Sequence, residues 1–266
     1  MKPLVQFSID ARLAIRGVLC DIDDTLSTEG RITAGAYGAM QRLQQAGLLV
    51  IPVTGRPAGW CDHIARMWPV DGVVGENGAF YFRYDKAARR MRRHFVDDAA
   101  TRASHRTRLT QIAQEILKAV PGTAIAADQQ YRETDLAIDF CEDVAPLPQS
   151  AIDEIAMRME KHGLTAKVSS IHVNGWFGGY DKLSMTKTLM REAFNVDLDV
   201  AREAYVFVGD SPNDAPMFGY FPHAVGVANI RDFGERVEHL PAYISRDRCG
   251  AGFAEVAAYI LAARVT

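Results

Sequence analysis

The chain has 266 residues, 48% of them apolar, and a formal net charge of −3. That length supports one large α/β domain or two smaller ones with a sizeable core. The charge balance excludes both the basic excess of a nucleic-acid binder and the acidity of a disordered tail, so partners held by bulk charge are not expected. Cys20, Cys61, Cys141 and Cys249 are scattered with no CxxC spacing, which argues against a disulfide framework and a zinc site. Free thiols fit a reducing cytoplasm. No apolar stretch approaches the roughly 18 residues of a membrane span. The opening "MKPLVQFSIDARLAIRG" is interrupted by Asp10, Arg12 and Arg16, unlike a signal peptide. The expected address is cytoplasmic, without nucleic-acid or membrane partners; the sequence is silent on oligomeric state.

In chain order, "GVLCDID" is a buried β-run, "TAGAYGAMQRLQQAGL" a small-residue helix ending near Gly47, and "LVIPVTG" a second buried β-run, which together make a βαβ unit. A helix around residues 57–67 follows. Val73 and Val74 then suggest a short strand, and "ENG" a tight turn before a hairpin-like return. Toward the C-terminus "KLSMTKTLMREAF" is helical, "AYVFVGD" a buried strand, "NDAPMFGYF" a helix, "HAVGVAN" and "AYISR" strands, and "GFAEVAAYIL" a closing helix. Buried strands alternating with helices predict an α/β fold, a Rossmann-like doubly wound parallel sheet whose ligands bind at the carboxyl ends of the strands. Asp21, Thr54 and Asp210 fall at such ends.

The stretch 84–180 lacks the buried parallel signature. It mixes antiparallel strands ("RRMRRHFV", "LAIDF", "TAKVSSIHVNGWF") with helices ("RTRLTQIAQEILKAV", "QSAIDEIAMRMEKHG") and reads as an inserted α+β domain. The expected division is therefore a core of residues 1–83 and 181–266 with an insert over 84–180. The cationic run from Lys86 to Arg108 reads as a solvated face, with an anion-binding patch as the alternative.

Asp21, Asp23 and Asp24 lie within four positions, directly behind an apolar run. Their mutual repulsion calls for a metal, or for chemistry that uses bare carboxylates. With "DIDDT" ending the first strand, and "VTGR" and "VFVGDSPND" ending two others, the chain resembles the haloacid dehalogenase superfamily of phosphotransferases. The resemblance covers the core, about two thirds of the chain. In its terms Asp21, Asp23 and Thr25 match DxDxT, Thr54 the strand-end hydroxyl, and Lys182 the lysine at a helix start, with Lys187 as rival. Asp210 and Asp214 match the acidic strand end.

Several roles follow from that resemblance. Asp21 is the nucleophile and a metal ligand, and Asp210 is the second carboxylate ligand. The backbone carbonyl of Asp23 is a third metal oxygen, while its side chain serves as general acid and base. Thr54, the amide of Gly55 and Lys182 hold the phosphoryl group. Asn213 and Asp214 sit beside the metal, N-capping being their alternative role. The chemistry agrees: a carboxylate attacks an anionic phosphate monoester only if a cation cancels the repulsion, and Mg²⁺, hard and oxygen-seeking, suits two carboxylates plus phosphate. Arg56 reads either as a phosphate contact or as a helix N-terminal charge. Asn77, in "GENGA", reads either as an entrance residue or as part of a plain turn. Asp24 tunes the local field or caps a turn.

The insert between Thr54 and Lys182 implies a C2-type cap and places the resemblance in subfamily IIB, with Cof-type and sucrose-phosphate phosphatases and phosphomannomutase. The implied activity is Mg²⁺-dependent hydrolysis of a small phosphorylated metabolite, a sugar or sugar-acid phosphate, through an aspartyl-phosphate. A phosphomutase is the alternative, and a catalytically silent binding protein a third reading. His172, Asn174 and Trp176 alternate on one strand face, to contact a sugar or to pack beneath the cap.

Overall fold

A computed structural model describes residues 1–264. Its centre is a six-stranded, all-parallel sheet in the order Lys2–Pro3, Tyr243–Ile244, Val225–Gly226, Tyr205–Gly209, Gly17–Cys20, Leu49–Pro52. Both faces of the central strands are covered, which is why they read as unbroken apolar runs rather than alternating ones. Val18 and Cys20 point toward Met40 and Leu43 of helix Ala34–Gln45 and Phe253 and Val256 of helix Cys249–Ala262. Leu19 and Phe207 face Met185 and Leu189 of helix Lys182–Phe194 on the other side.

The Gly17–Cys20 strand is flanked by Leu49–Pro52 on one side and Tyr205–Gly209 on the other. The chain therefore leaves the central strand in one direction and returns on its opposite side. Such a switch point opens a crevice at the carboxyl ends of the strands. Asp21 and Asp210 follow directly after the two strands that border it.

A three-stranded antiparallel sheet (Val73–Gly75, Phe80–Asp85, Arg90–Phe95) continues from the core through a parallel bridge between Val53 and Val74. The boundary expected at residue 84 falls inside the Phe80–Asp85 strand, which pairs along its whole length with Arg90–Phe95. Phe80 stacks on Phe82, with Phe95 tilted against the first and edge-on to the second, all at the main core, so this hairpin packs with the main core. Arg92 and Arg93, each more than half exposed, lie on opposite faces of this hairpin, Arg92 paired with Asp85 and Arg93 lying over the Phe82 ring and paired with Asp62.

The second layer is an antiparallel sheet in the order Thr165–Val168, His172–Trp176, Leu136–Asp139, Ala124–Ile125. Helices Ala99–Ala119 and Gln149–Lys161 cover it, and Leu109, Ile116, Ile138, Ile155, Met159 and Val173 form its own core. The edge strand Lys2–Pro3 and helix Ile9–Ala14 are too short to leave a periodic signature. No helix among the described residues is long and apolar enough to cross a membrane.

Candidate active site

The amide of Asp21 donates to the carbonyl of Val208 (2.9 Å), extending the strand ladder by one residue and fixing the start of the crevice. Lys182 reaches the same point from the other side as the first residue of its helix. That helix start is set by a capping box between Asp181 and Ser184. It also depends on Gly78 at φ +109°, where a Cβ would lie 2.0 Å from the carbonyl oxygen of Asp181. Lys182 Nζ donates to Asp21 Oδ1 (2.8 Å) and Asp214 Oδ1 (2.7 Å) with all three side chains buried. Burial alone lowers the affinity of this amine for its proton, but the two carboxylates outweigh it and hold the pKa above the usual value. The rival Lys187 instead makes an exposed ion pair with Asp199 (2.6 Å), and Lys182 is the lysine that meets Asp21.

Asp214 has both oxygens engaged by the chain. Oδ1 takes the Lys182 ammonium, and Oδ2 accepts the amide of Asp210 (3.1 Å). The residue expected at the metal is thus placed to hold Lys182 and to fix the Asp210 backbone. Asp210 accepts from Thr25 Oγ1 (3.2 Å) and from Asn229 Nδ2 (3.1 Å). Asn229 also donates to the carbonyl of Asp24 (3.0 Å) and accepts the amide of Cys249 (2.9 Å), tying three segments to the acidic corner. The sequence offers no signal for Asn229, whose role depends on folding alone.

Carboxylate oxygens of Asp21, Asp210 and Asp214 lie within 4.8 Å of one another. Burial, opposed by Lys182 and reinforced by Asp214, pushes Asp21 up to about 7, and burial with its acidic neighbours raises Asp210 well above the carboxylate range. Three buried carboxylates share one ammonium. This oxygen-only, cation-poor corner fits a small divalent ion of the Mg²⁺ kind.

Thr54 is fully buried behind the Leu49–Pro52 strand, its Oγ1 accepting the amide of Arg56 (3.1 Å). Asn77 sits at φ 55° and donates its amide to the carbonyl of Thr54 (3.0 Å), with a buried Nδ2 that has no partner. A Cβ at Gly55 would come within 3.1 Å of that Nδ2, so the glycine lets the two turns meet. Asn213 accepts from Ser211 Oγ (2.8 Å) at the edge of the same crevice.

Arg56 is committed to carboxylates. Its Nε and Nη2 contact Asp23 (2.8 to 3.0 Å), Nη2 also donates to Glu142 (2.7 Å), Nη1 donates to Asp128 (3.3 Å), and the guanidinium lies over the Trp60 ring at 4.5 Å. Glu142 lies 2.9 Å from His172 Nε2; its carboxyl is half buried, yet Arg56 and His172 hold it down at about 2. Asn174 donates to Asp135 (3.1 Å). His172 and Asn174 line a cavity of about 10 Å³ together with Asp21, Asp23, Gly55, Arg56, Arg132 and Asn213. That is room for roughly one water molecule. Trp176 departs from its strand neighbours: its Nε1 donates to the carbonyl of Tyr180 (3.2 Å), its ring stacks on Tyr180, and it joins the main core. It does not line that cavity, because at the last position of its strand it packs into the main core.

Two buried residues absent from the sequence reading join insert to core. Arg132 donates to Asp128 and Asp135 of the insert and to the carbonyl of Gly55 (2.9 Å) in the core. Glu76 is fully buried and accepts the amides of Ala58 (2.9 Å), Glu133 (2.9 Å) and Thr134 (2.7 Å), as well as the Thr134 hydroxyl. Burial, with Asp135 nearby, pushes Glu76 up to about 7, opposed by Arg132 and these donors. Its signal lay hidden in "ENG", which reads simply as a turn. Glu76→Ala strands these donors, and urea unfolding is expected to show a loss of about 3 kcal/mol. A loss under about 1 kcal/mol would mean that water replaces the carboxylate.

Residues 18–119 match the family model described as haloacid dehalogenase-like hydrolase. A phosphoglycolate phosphatase of Methanoculleus marisnigri is 26% identical over 247 residues, 91% of this chain and 94% of that one. A Thermoplasma acidophilum protein of solved structure superposes with a TM-score of 0.69 at 18% identity, covering 93% of this chain and 98% of its own. The sucrose-phosphatase of Synechocystis, solved with sucrose and phosphate, superposes with a TM-score of 0.62 at 16% identity, covering 92% and 98%. The structural likenesses establish a shared fold.

Proposed function

Since residues 18–119 match the family model of the haloacid dehalogenase-like hydrolases, we propose that the chain is a Mg²⁺-dependent phosphatase. Its substrate is a small phosphorylated metabolite, a sugar or sugar-acid phosphate, and the reaction runs through an aspartyl-phosphate on Asp21. The observation that carries this reading is the Lys182 ammonium held between Asp21 and Asp214, with Asp210 beside them at the switch point of the sheet. When bound, Mg²⁺ would be held by the carboxylates of Asp21 and Asp210 and the backbone carbonyl of Asp23, and would supply the positive charge that lets one anion approach another.

Asp21 attacks phosphorus in line, and the P–O bond to the alcohol breaks. Asp23 hands its proton to the departing alkoxide, then takes a proton from the water that attacks the phosphoryl group, which releases phosphate and restores Asp21. Thr54 and the amide of Gly55 hold phosphoryl oxygens, with Lys182 neutralising the transferred charge. Arg56 sets the position of Asp23 through its paired contacts. The closed cavity of about 10 Å³ supports a cap that opens to admit substrate and then excludes bulk water. Free Cys20 and Cys61, both buried, support a reducing, cytoplasmic setting.

The test is phosphate release from a panel of sugar phosphates, sugar-acid phosphates and phosphoglycolate, with Mg²⁺ and with chelator. Release with Mg²⁺ that chelation reduces at least about a hundredfold is expected. Chelator-resistant release would remove the metal from the mechanism, and absence of release without a bisphosphate activator, but interconversion with one, would favour a phosphomutase.

A further inference from the structure

Asp23 and Arg56 have two sides. One faces the closed cavity between core and cap; the other faces a separate groove of about 470 Å³ that remains open in the same structure. The groove is built from three parts of the chain. Ser27, Gly30 and Ile32 come from the small hairpin after Asp24, Gly59, Trp60, His63 and Ile64 from helix Ala58–Met67, and Tyr131 from the cap. Trp60 is 42% exposed and Tyr131 is 50% exposed, and Trp68 also lines the groove. Tyr131 rests on Gly59, where a Cβ would lie 2.9 Å from the Cβ of Tyr131, so the cap side of the wall depends on that glycine.

From these features we infer that the groove is the subsite for the alcohol half of the substrate, and that this alcohol is uncharged and carries a ring. The inference rests on the phosphatase reading, in which the leaving oxygen is protonated by Asp23. An oxygen at Asp23 has its carbon skeleton directed either into a space of about 10 Å³ or into the open groove, and only the groove accepts more than a few atoms while the cap is shut. The aromatic walls supply flat faces against which a sugar or aryl ring stacks.

Charge decides the rest. Among the described residues Arg56 is the only guanidinium or ammonium lining the groove, and it is already matched by Asp23, Glu142 and Asp128. A second phosphate or a carboxylate on the alcohol would find no free cation there, whereas Ser27 and His63 can meet hydroxyl groups. The groove therefore selects neutral ring alcohols over short acids such as glycolate.

The experiment compares kcat/KM for phenyl phosphate and methyl phosphate in the Mg²⁺-loaded full chain, in wild type, Trp60→Ala and Tyr131→Ala. Saturation-transfer NMR of the phenyl ring is recorded on the same proteins. The phenyl-to-methyl ratio is expected to exceed about tenfold in wild type and to fall about tenfold in each variant, with ring saturation lost. Turnover of both esters with a ratio that neither variant changes would overturn the groove and leave the phosphatase standing. Ring saturation that is lost in the variants, without turnover of either ester, would keep the groove and overturn the phosphatase.

Discussion

Asp21→Asn is expected to lower kcat for phosphate release by a factor of about 10⁴ or more, the scale seen when a covalent nucleophile is removed. The amide keeps the shape of the carboxylate but cannot form the acyl-phosphate. The fold should survive, because Lys182 retains its 2.7 Å contact with Asp214 and one of three crowded buried carboxylates is relieved. Initial rates across the substrate panel, with a thermal melt of each protein, check both halves. A melting temperature close to wild type with activity gone is the expected pair. Activity retained within tenfold would place the nucleophile elsewhere.

Asp23→Asn is expected to separate the two half-reactions. An alcohol that is a good leaving group still departs, but no carboxylate remains to take the proton from water, so phosphoenzyme accumulates and steady-state turnover falls by about 10² to 10⁴. Arg56 loses the partner it grips most fully but retains Glu142 at 2.7 Å and Asp128 at 3.3 Å, so its position should hold. With 4-nitrophenyl phosphate and Mg²⁺, the variant should show a stoichiometric burst of nitrophenol followed by slow release. Linear kinetics without a burst would mean that Asp23 acts in the first half-reaction more than in the second.

The parts of the molecule that were legible in sequence are those written by local rules. Gly17–Cys20, Leu49–Pro52 and Tyr205–Gly209 announce themselves as buried runs, and each is followed by polar residues that a core strand would not tolerate: Asp21, Thr54 and Asp210. Lys182 could be chosen over Lys187 because it opens a helix, and the structure brings Lys182 to Asp21. Contacts between distant segments were not legible. Glu76 meets residues 133–135, and Arg56 meets Glu142, more than fifty positions away in each case, with no periodicity to reveal them. Trp176 shares a strand face with His172 and Asn174, yet the strand's exit from the cap sends it into a different core. The expected start of the insert, residue 84, falls inside the Phe80–Asp85 strand, whose Phe80 and Phe82 pack with the main core.

The most direct single measurement is to locate the phosphoryl group. Asp23→Asn, mixed with Mg²⁺ and 4-nitrophenyl phosphate, is quenched during the burst and reduced with borohydride, which converts an aspartyl-phosphate to homoserine, and the peptides are then weighed. Homoserine at position 21, absent from a parallel Asp21→Asn sample, is the predicted result. Release of nitrophenol with residue 21 unmodified would contradict covalent phosphoryl transfer to Asp21.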